Sequence, residues 1–244
     1  MDDLEAARAA LAGARSIVVM TGAGISAESG IPTFRDAMTG LWSRFRPEDL
    51  ATEEAFRRDP RAVWDWYAWR RERVEGVAPN PGHRAIARLE ALAAARGAPF
   101  LLVTQNVDGL HQAAGSTRLL ELHGNIRRVK CLDAGHPATL WAPDEHPPRC
   151  AACGSWLRPD VVWFGEMLPE GAFESAAAAA EECDVFLCVG TSGLVEPAAS
   201  LPRMALRAGA RVIEVNAQPT PLTAHATWAL PGKAGEILPA LVAE

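Results

Sequence analysis

The sequence predicts an α/β protein: a parallel sheet with helices on both faces, joined to a smaller lobe. Three observations predict it: four short, continuous apolar runs, alanine-rich helical stretches between them, and two insertions that break the alternation. The runs, residues 16–21, 99–104, 185–189 and 211–215, are rich in β-branched residues and read as strands buried on both faces. Residues 3–14, 83–95, 172–182 and 198–208 read as the helices that cover them. Each strand is followed by a small or polar residue, Gly22, Gln105, Gly190 or Asn216. Ligands of such sheets bind beyond the carboxyl ends of the strands, so these four positions mark one expected site.

The insertions supply the smaller lobe. Residues from about 36 to 77 are tryptophan-rich with a helical pattern, and residues 124–159 hold three cysteines, several prolines and little helical periodicity. The expected division is a large lobe from residues 1–36, 78–123 and 160–244, and a small lobe from residues 37–77 and 124–159. A cleft between lobes is the default binding site.

Bulk composition narrows the function. With 244 residues, 49% of them hydrophobic, the chain can bury a sizeable core. A net charge of −6 argues against a nucleic-acid partner, which needs a basic stripe. The start, Met1-Asp2-Asp3-Leu4-Glu5, has no cationic region before a long apolar run, so neither a secretory signal nor a membrane span is expected. Five cysteines suit a reducing cytoplasm, with Cys183 and Cys188 reading as buried small hydrophobes.

After the first strand, Gly22-Ala23-Gly24-Ile25-Ser26-Ala27 matches G-x-G-x-x-A and makes the sheet Rossmann-like. On that reading the glycines allow a tight turn and let backbone N–H groups approach a pyrophosphate, while Ala27 lets the next helix pack closely. The acidic residue usual about twenty positions on is missing.

A longer and more specific motif contains this turn. The run Gly22-Ala23-Gly24-Ile25-Ser26-Ala27-Glu28-Ser29-Gly30-Ile31-Pro32-Thr33-Phe34-Arg35 resembles the cofactor-loop signature of the sirtuin (Sir2-like) family. Four more motifs come later in that family's order: Thr104-Gln105-Asn106-Val107-Asp108-Gly109-Leu110-His111, Glu121-Leu122-His123-Gly124-Asn125, Pro159-Asp160-Val161-Val162-Trp163-Phe164-Gly165-Glu166, and Gly190-Thr191-Ser192.

The resemblance implies an NAD-dependent protein deacylase that consumes NAD+ and releases nicotinamide, O-acyl-ADP-ribose and free lysine. Its partners would be acylated-lysine proteins. It implies cofactor contacts from Gly22, Ala23, Gly24, Ala27, Thr33, Phe34, Arg35 and Trp42. Gln105, Asn106, Val107 and Asp108 would line the nicotinamide and ribose pocket, and Gly190, Thr191, Ser192, Val195, Asn216, Ala217 and Ala234 the adenosine half. For Val195 and Ala234 plain packing is an equal reading. His123 would be the general base, a role that suits an imidazole near neutral pH, with Asn106 and Asp108 beside it. His83, His111 and His136 read as structural when taken alone. Val162 would pair its backbone with the substrate peptide, and Phe164 and Trp163 would wall the acyl channel.

Tyr67 and Arg70 are three apart and share a helix face. A phenol beside a guanidinium makes a receptor for a carboxylate. The pair resembles the desuccinylase and demalonylase (class III) branch of the family, as does the small residue Ala51. The alternative is an ordinary amphipathic helix with Arg70 exposed and paired to a glutamate.

The family usually carries structural zinc on two Cys-x-x-Cys pairs. Here Cys150-Ala151-Ala152-Cys153 is intact, but Ala134 stands three residues after Cys131. His136 is the nearest substitute ligand and His146 a more distant one, giving a zinc-ribbon-like module with Cys131, Cys150, Cys153 and His136. Loss of the metal is the alternative. For the whole chain, a mono-ADP-ribosyltransferase or a non-catalytic NAD sensor are the competing functions.

Overall fold

The computed structural model describes residues 2–31, 47–142 and 144–243. Its larger unit is a six-stranded sheet in which every pairing is parallel. The strands are β1 (Ile17–Thr21), β2 (Phe100–Thr104), β3 (Leu119–Glu121), β7 (Val185–Val189), β8 (Arg211–Asn216) and β9 (Trp228–Pro231), in the order β3-β2-β1-β7-β8-β9. The chain runs outward from β1 to β3, then returns to β1's other side to lay down β7, β8 and β9. The order therefore reverses between β1 and β7, where open α/β sheets place their ligands.

Side chains alternate across this sheet, as a pleated strand requires. In β1, Ile17 and Val19 enter one core with α1 (Asp3–Ala12), α5 (Pro81–Ala95) and α9 (Ala234–Leu241). Val18 and Met20 enter the other core, with α7 (Ala172–Glu182) and α8 (Leu201–Arg207). Both faces are covered, which is why the strands read as unbroken apolar runs. Between β2 and β3 the chain makes one further short helix, α6 (Leu110–Ala113). Cys183 and Cys188 are free thiols in the second core, and burial pushes the Cys183 thiol up to about 12. They pack as small hydrophobes, as expected.

The expected helix 172–182 matches α7, while 198–208 opens as a tight 3₁₀ turn over Ala198–Ser200 before α8 begins. Four elements of this unit go beyond the sequence reading: the edge strands β3 and β9, and helices α6 and α9. The N-terminus of α9 is stabilised by Glu28, whose carboxylate accepts from the Gly235 N–H at 2.7 Å. Ala27 does not open a long helix. It is exposed in a single 3₁₀ turn, Ala27–Ser29, that ends at Gly30 with φ 84°, so close helix packing is not its role.

The smaller unit combines α2 (Pro47–Leu50), α3 (Glu53–Arg58) and α4 (Pro60–Glu75) with a three-stranded antiparallel sheet. That sheet holds β4 (Gly124–Cys131) between β5 (Pro137–Ala138) and β6 (Leu157–Val161). Asp59 ends α3 and caps α4, accepting from the Ala62 N–H at 3.0 Å with Pro60 in the first turn. Phe56, Trp64, Trp66, Tyr67 and Trp163 form the centre of a third core between α4 and this sheet. Among the described residues, no helix is long and apolar enough to cross a membrane.

The loops after β1 and β7 interlock. Gly22 and Gly24 donate to the carbonyls of Val189 and Gly190 at 3.0 and 2.8 Å. A Cβ on Gly24 would lie 2.7 Å from the Gly190 oxygen, and one on Gly190, at φ 59°, would lie 2.5 Å from the Ile25 nitrogen. The glycines are therefore required by loop-on-loop packing, and the Gly22 and Gly24 amides are already engaged within the protein.

Gly190→Ala combines a left-handed conformation with a backbone clash, and we expect a loss of about 2 kcal/mol or more. In a chain of this size that lowers the melting temperature by roughly 4–8 °C. Gly13→Ala, at φ −90° with its nearest neighbour at 3.4 Å, is the control that should change little. Equal melting temperatures for both variants would count against the interlock.

Candidate active site

The carboxyl ends of the central strands finish level. Thr21 of β1 pairs with Thr104 of β2 and Val189 of β7, and Val189 with Val215 of β8. Gly22, Gln105, Gly190 and Asn216 therefore form one row, facing the smaller unit. Between them lies a cavity of about 1230 Å³, roomy even for a cofactor site.

The cavity wall brings together Gly22, Ala23, Gly24, Gln105, Asn106, Val107, Asp108 and His123 with Gly190, Thr191, Ser192, Val195 and Asn216. It also contains Ala51, Tyr67, Arg70, Val162 and Phe164. Three expected contacts fall outside it: Ala27 and Ala217 are exposed elsewhere, and Ala234 is buried in the core beside Gly82. Thr33, Phe34, Arg35 and Trp42 lie outside the described residues. Ser26, Trp69 and Arg73 also line the wall, although the sequence reading gives them no role.

His123 follows β3, where the large sheet passes into β4. Its Nδ1 lies 3.0 Å from the Gln105 carbonyl, which can only accept, so Nδ1 carries the proton and Nε2 holds the free lone pair. Burial lowers its pKa, partly opposed by that hydrogen bond. The ring is therefore neutral at pH 7 and competent as a base.

Behind it runs a buried polar chain. Asn106 Nδ2 donates to Ser26 Oγ at 3.2 Å, and Ser26 donates to Asp108 Oδ2 at 2.7 Å. Asp108 Oδ1 accepts from the Leu110 N–H at 2.9 Å. Desolvation raises the Asp108 pKa, with Leu110 and Ser26 opposing it. Thr21 joins Thr104 at 2.8 Å and His111 Nε2 at 2.9 Å, while His83 Nε2 sits 3.3 Å from Ser26. The His83 and His111 rings lie 4.8 Å apart, tilted by 58°, and burial, the largest cause for each, lowers their pKa values to about 4 and about 3. Beyond β7 and β8, Asn216 Nδ2 donates to the Thr191 carbonyl at 2.7 Å and holds that loop in place.

On α4, Tyr67 is buried and accepts from Trp163 Nε1 at 3.0 Å. The Arg70 guanidinium lies 4.9 Å from the Trp66 ring centre and 5.5 Å from that of Tyr67. Burial lowers the Arg70 pKa, so its charge sits in a poorly solvated wall rather than on an exposed face. Val162 donates its N–H to the His123 carbonyl at 2.9 Å, which leaves its C=O as the group able to pair with a peptide.

The cysteine cluster is compact. Ligand atoms of Cys131, His136, Cys150 and Cys153 all lie within 4.8 Å of one another. Cys131 and Cys153 Sγ are 3.8 Å apart, as are Cys150 Sγ and His136 Nδ1. A tetrahedral zinc with bonds of about 2.3 Å to sulfur has ligand edges of roughly 3.8 Å, so the four atoms fit that ion. Thus His136 stands where Ala134 fails, its N–H also reaching Cys131 Sγ at 3.3 Å. His146 does not take part: it pairs with Asp65 at 2.5 Å on the outer side of α4.

A model of the Sir2 family matches residues 22–197. A protein of Pyrobaculum aerophilum, NAD-dependent protein deacylase 2, is 55% identical over 235 residues, 96% of this chain and 92% of its own length. The NAD-dependent protein deacylase of Thermus thermophilus is 57% identical over 223 residues, 91% of this chain and 87% of its own. A crystal structure of a Sir2 homolog–NAD complex is 48% identical, has a TM-score of 0.90, and is matched over 99% of this chain and 93% of that one.

The histidine pair makes acid stability predictable. Below pH 6.5 the unfolded chain protonates both rings, while the folded chain resists until about pH 4 and 3. Their neutral burial is therefore costless above pH 6.5, and each ring removes up to about 1.4 kcal/mol per pH unit as pH falls below it. In urea titrations between pH 7 and 5, His111→Gln should lose about one proton's worth of slope. An unchanged slope would contradict the shift.

Proposed function

We propose that this chain, which belongs to the Sir2 family and is an NAD-dependent protein deacylase, removes succinyl and malonyl groups from lysine, and acetyl groups as well. The observation that carries the acidic preference is the cavity wall itself. Tyr67, Arg70 and Ala51 line one apolar region, with the cation of Arg70 desolvated against aromatic rings. The Arg70 guanidinium beside the Tyr67 phenol offers a charge-assisted donor and a neutral donor on one wall, a pairing that suits the carboxylate of an acidic acyl group.

NAD+ is the co-substrate, supplying an electrophilic ribose carbon as nicotinamide leaves. The row of Gly22, Gln105, Gly190 and Asn216 at the strand ends supports its binding across the switch between β1 and β7, as does the size of the cavity. We assign nicotinamide and ribose recognition to Gln105, Asn106, Val107 and Asp108, whose amides and carboxylate offer paired donors and acceptors. Gly190, Thr191, Ser192, Val195 and Asn216 are assigned to the adenosine half, while Ala27, Ala217 and Ala234 would act only through backbone placement. Through its unprotonated Nε2, His123 takes a proton from a ribose hydroxyl. Val162 offers its carbonyl to the substrate peptide, and Phe164, 47% exposed at the cavity mouth, covers the acyl-lysine.

Structural zinc on Cys131, His136, Cys150 and Cys153 would tie β4 to the turn before β6 and so brace the antiparallel sheet. The free thiols support a reducing, cytoplasmic setting.

Arg70→Met should lower kcat/KM for succinyl-lysine peptides by roughly 10–100-fold, the scale of a charge-assisted hydrogen bond pair, and deacetylation far less. Parallel loss of both activities in a folded variant would sink the acyl assignment. Metal analysis of protein purified without added zinc should find about one zinc per chain, and His136→Ala should reduce it. Near-zero stoichiometry in the unsubstituted protein would rule out the site.

A further inference from the structure

We propose that Trp163 is a specificity-determining positioning residue: its indole N–H holds the Tyr67 hydroxyl so that the phenol's own proton is offered to the carboxylate of an acidic acyl group. This rests on the acidic-acyl reading of Tyr67 and Arg70 given above.

An indole nitrogen can only donate, so in the 3.0 Å contact Tyr67 is the acceptor. Conjugation keeps a phenol proton near the ring plane, where it has two positions. With Trp163 on one side, the other is left for donation. Tyr67 keeps that proton at any physiological pH, because burial pushes its pKa up to about 12. An acetyl group ends in a methyl and has no use for the donor. A succinyl or malonyl group ends in an acceptor.

Trp163 is itself held at both ends. Its backbone N–H donates to Glu166 Oε2 at 2.8 Å. Glu166 also accepts from Arg158, whose guanidinium lies over the indole 3.3 Å from the ring centre. Arg158 in turn donates to the Val161 carbonyl at 2.7 Å. Phe56 packs on the indole at 5.3 Å. With 2% exposure and these restraints, the indole has little freedom to turn its N–H away from Tyr67. A phenylalanine would fill much of the same space but lack the donor.

The test is a double-mutant cycle in the full-length enzyme at saturating NAD+. Kinetics on succinyl- and acetyl-lysine peptides are measured for the unsubstituted enzyme, Trp163→Phe, Tyr67→Phe, the double variant and Arg70→Met. Trp163→Phe should lower the succinyl-to-acetyl ratio of kcat/KM about 3–10-fold, the scale of one neutral hydrogen bond, mainly through KM for the succinyl peptide. In the Tyr67→Phe background the same change should leave that ratio unmoved. A ratio insensitive to Trp163→Phe, or equally sensitive in both backgrounds, overturns the proposal. If Trp163→Phe does not fold by circular dichroism, replacing Trp163 with 3-benzothienylalanine keeps the ring shape without the N–H and makes the same comparison. Selective loss with Arg70→Met but none with either Trp163 variant defeats only the positioning role. No selective loss with Arg70→Met defeats the acidic-acyl reading, and this inference with it.

Discussion

The level register of β1, β2, β7 and β8 is the constraint on which the site depends. Thr21, Thr104, Val189 and Val215 stand in one row, so the chain leaves the sheet at one height in four places. The loops beyond them must share a narrow space, and glycine at 22, 24 and 190 is what permits it. The strand order reverses between β1 and β7, and it is the loops of these two neighbouring strands that lock together there. The antiparallel unit attaches to the same edge: His123 ends the path from β3, and its carbonyl accepts from Val162 just beyond β6. One row of backbone positions thus fixes the glycine loop, His123 and the segment beyond β6 relative to one another.

Beneath that row, polar groups taken out of water pair largely with one another, while His83 and His111 each keep one buried ring nitrogen without a partner among the described residues. Ser26 receives Asn106 and donates to Asp108, while Thr21 and Thr104 bond side by side below. Such a network is strong because its surroundings are poorly polarisable, and costly to interrupt for the same reason. The neutral state of His83 and His111 follows from this environment. So does the different standing of His123, which touches the network only through a backbone carbonyl and keeps one nitrogen free.

Much of this is legible in the residues because local and global signals agree. The central strands announce themselves as β-branched runs, being buried on both faces. Asn80-Pro81 reads as a helix start, and Asn80 does accept from the Gly82 and His83 amides. The three-residue spacing of Tyr67 and Arg70 carries them onto one wall because Asp59 and Pro60 start α4 cleanly. The features that the residues do not announce depend on contacts distant in sequence. β3 has three residues and β9 four, ending at Pro231. Each exists as an edge because a long strand already lies beside it. That Gly22 and Gly24 must also admit Gly190, far along the chain, emerges only when folding sets it against them. Ser26 sits within the glycine motif, but only folding brings it to Asn106 and Asp108. His136 is visible as a substitute ligand. That its nitrogen reaches the three sulfurs is a matter of how β4 and β5 turn.

The cap of α5 has a second consequence. While Asn80 Oδ1 accepts from the first turn of that helix, its Nδ2 donates to the Ile25 carbonyl at 2.6 Å and to Ser29 Oγ at 3.0 Å. A single amide therefore belongs both to a helix end and to the glycine loop, and neither can loosen alone. Fraying of one helical turn, among the cheapest motions a protein has, is here also the loss of the loop's shape. Warming would then extinguish catalysis through this junction while the six-stranded sheet and the two cores that cover it were still intact, and the temperature limit of the enzyme would be set by one side chain rather than by the stability of the whole fold.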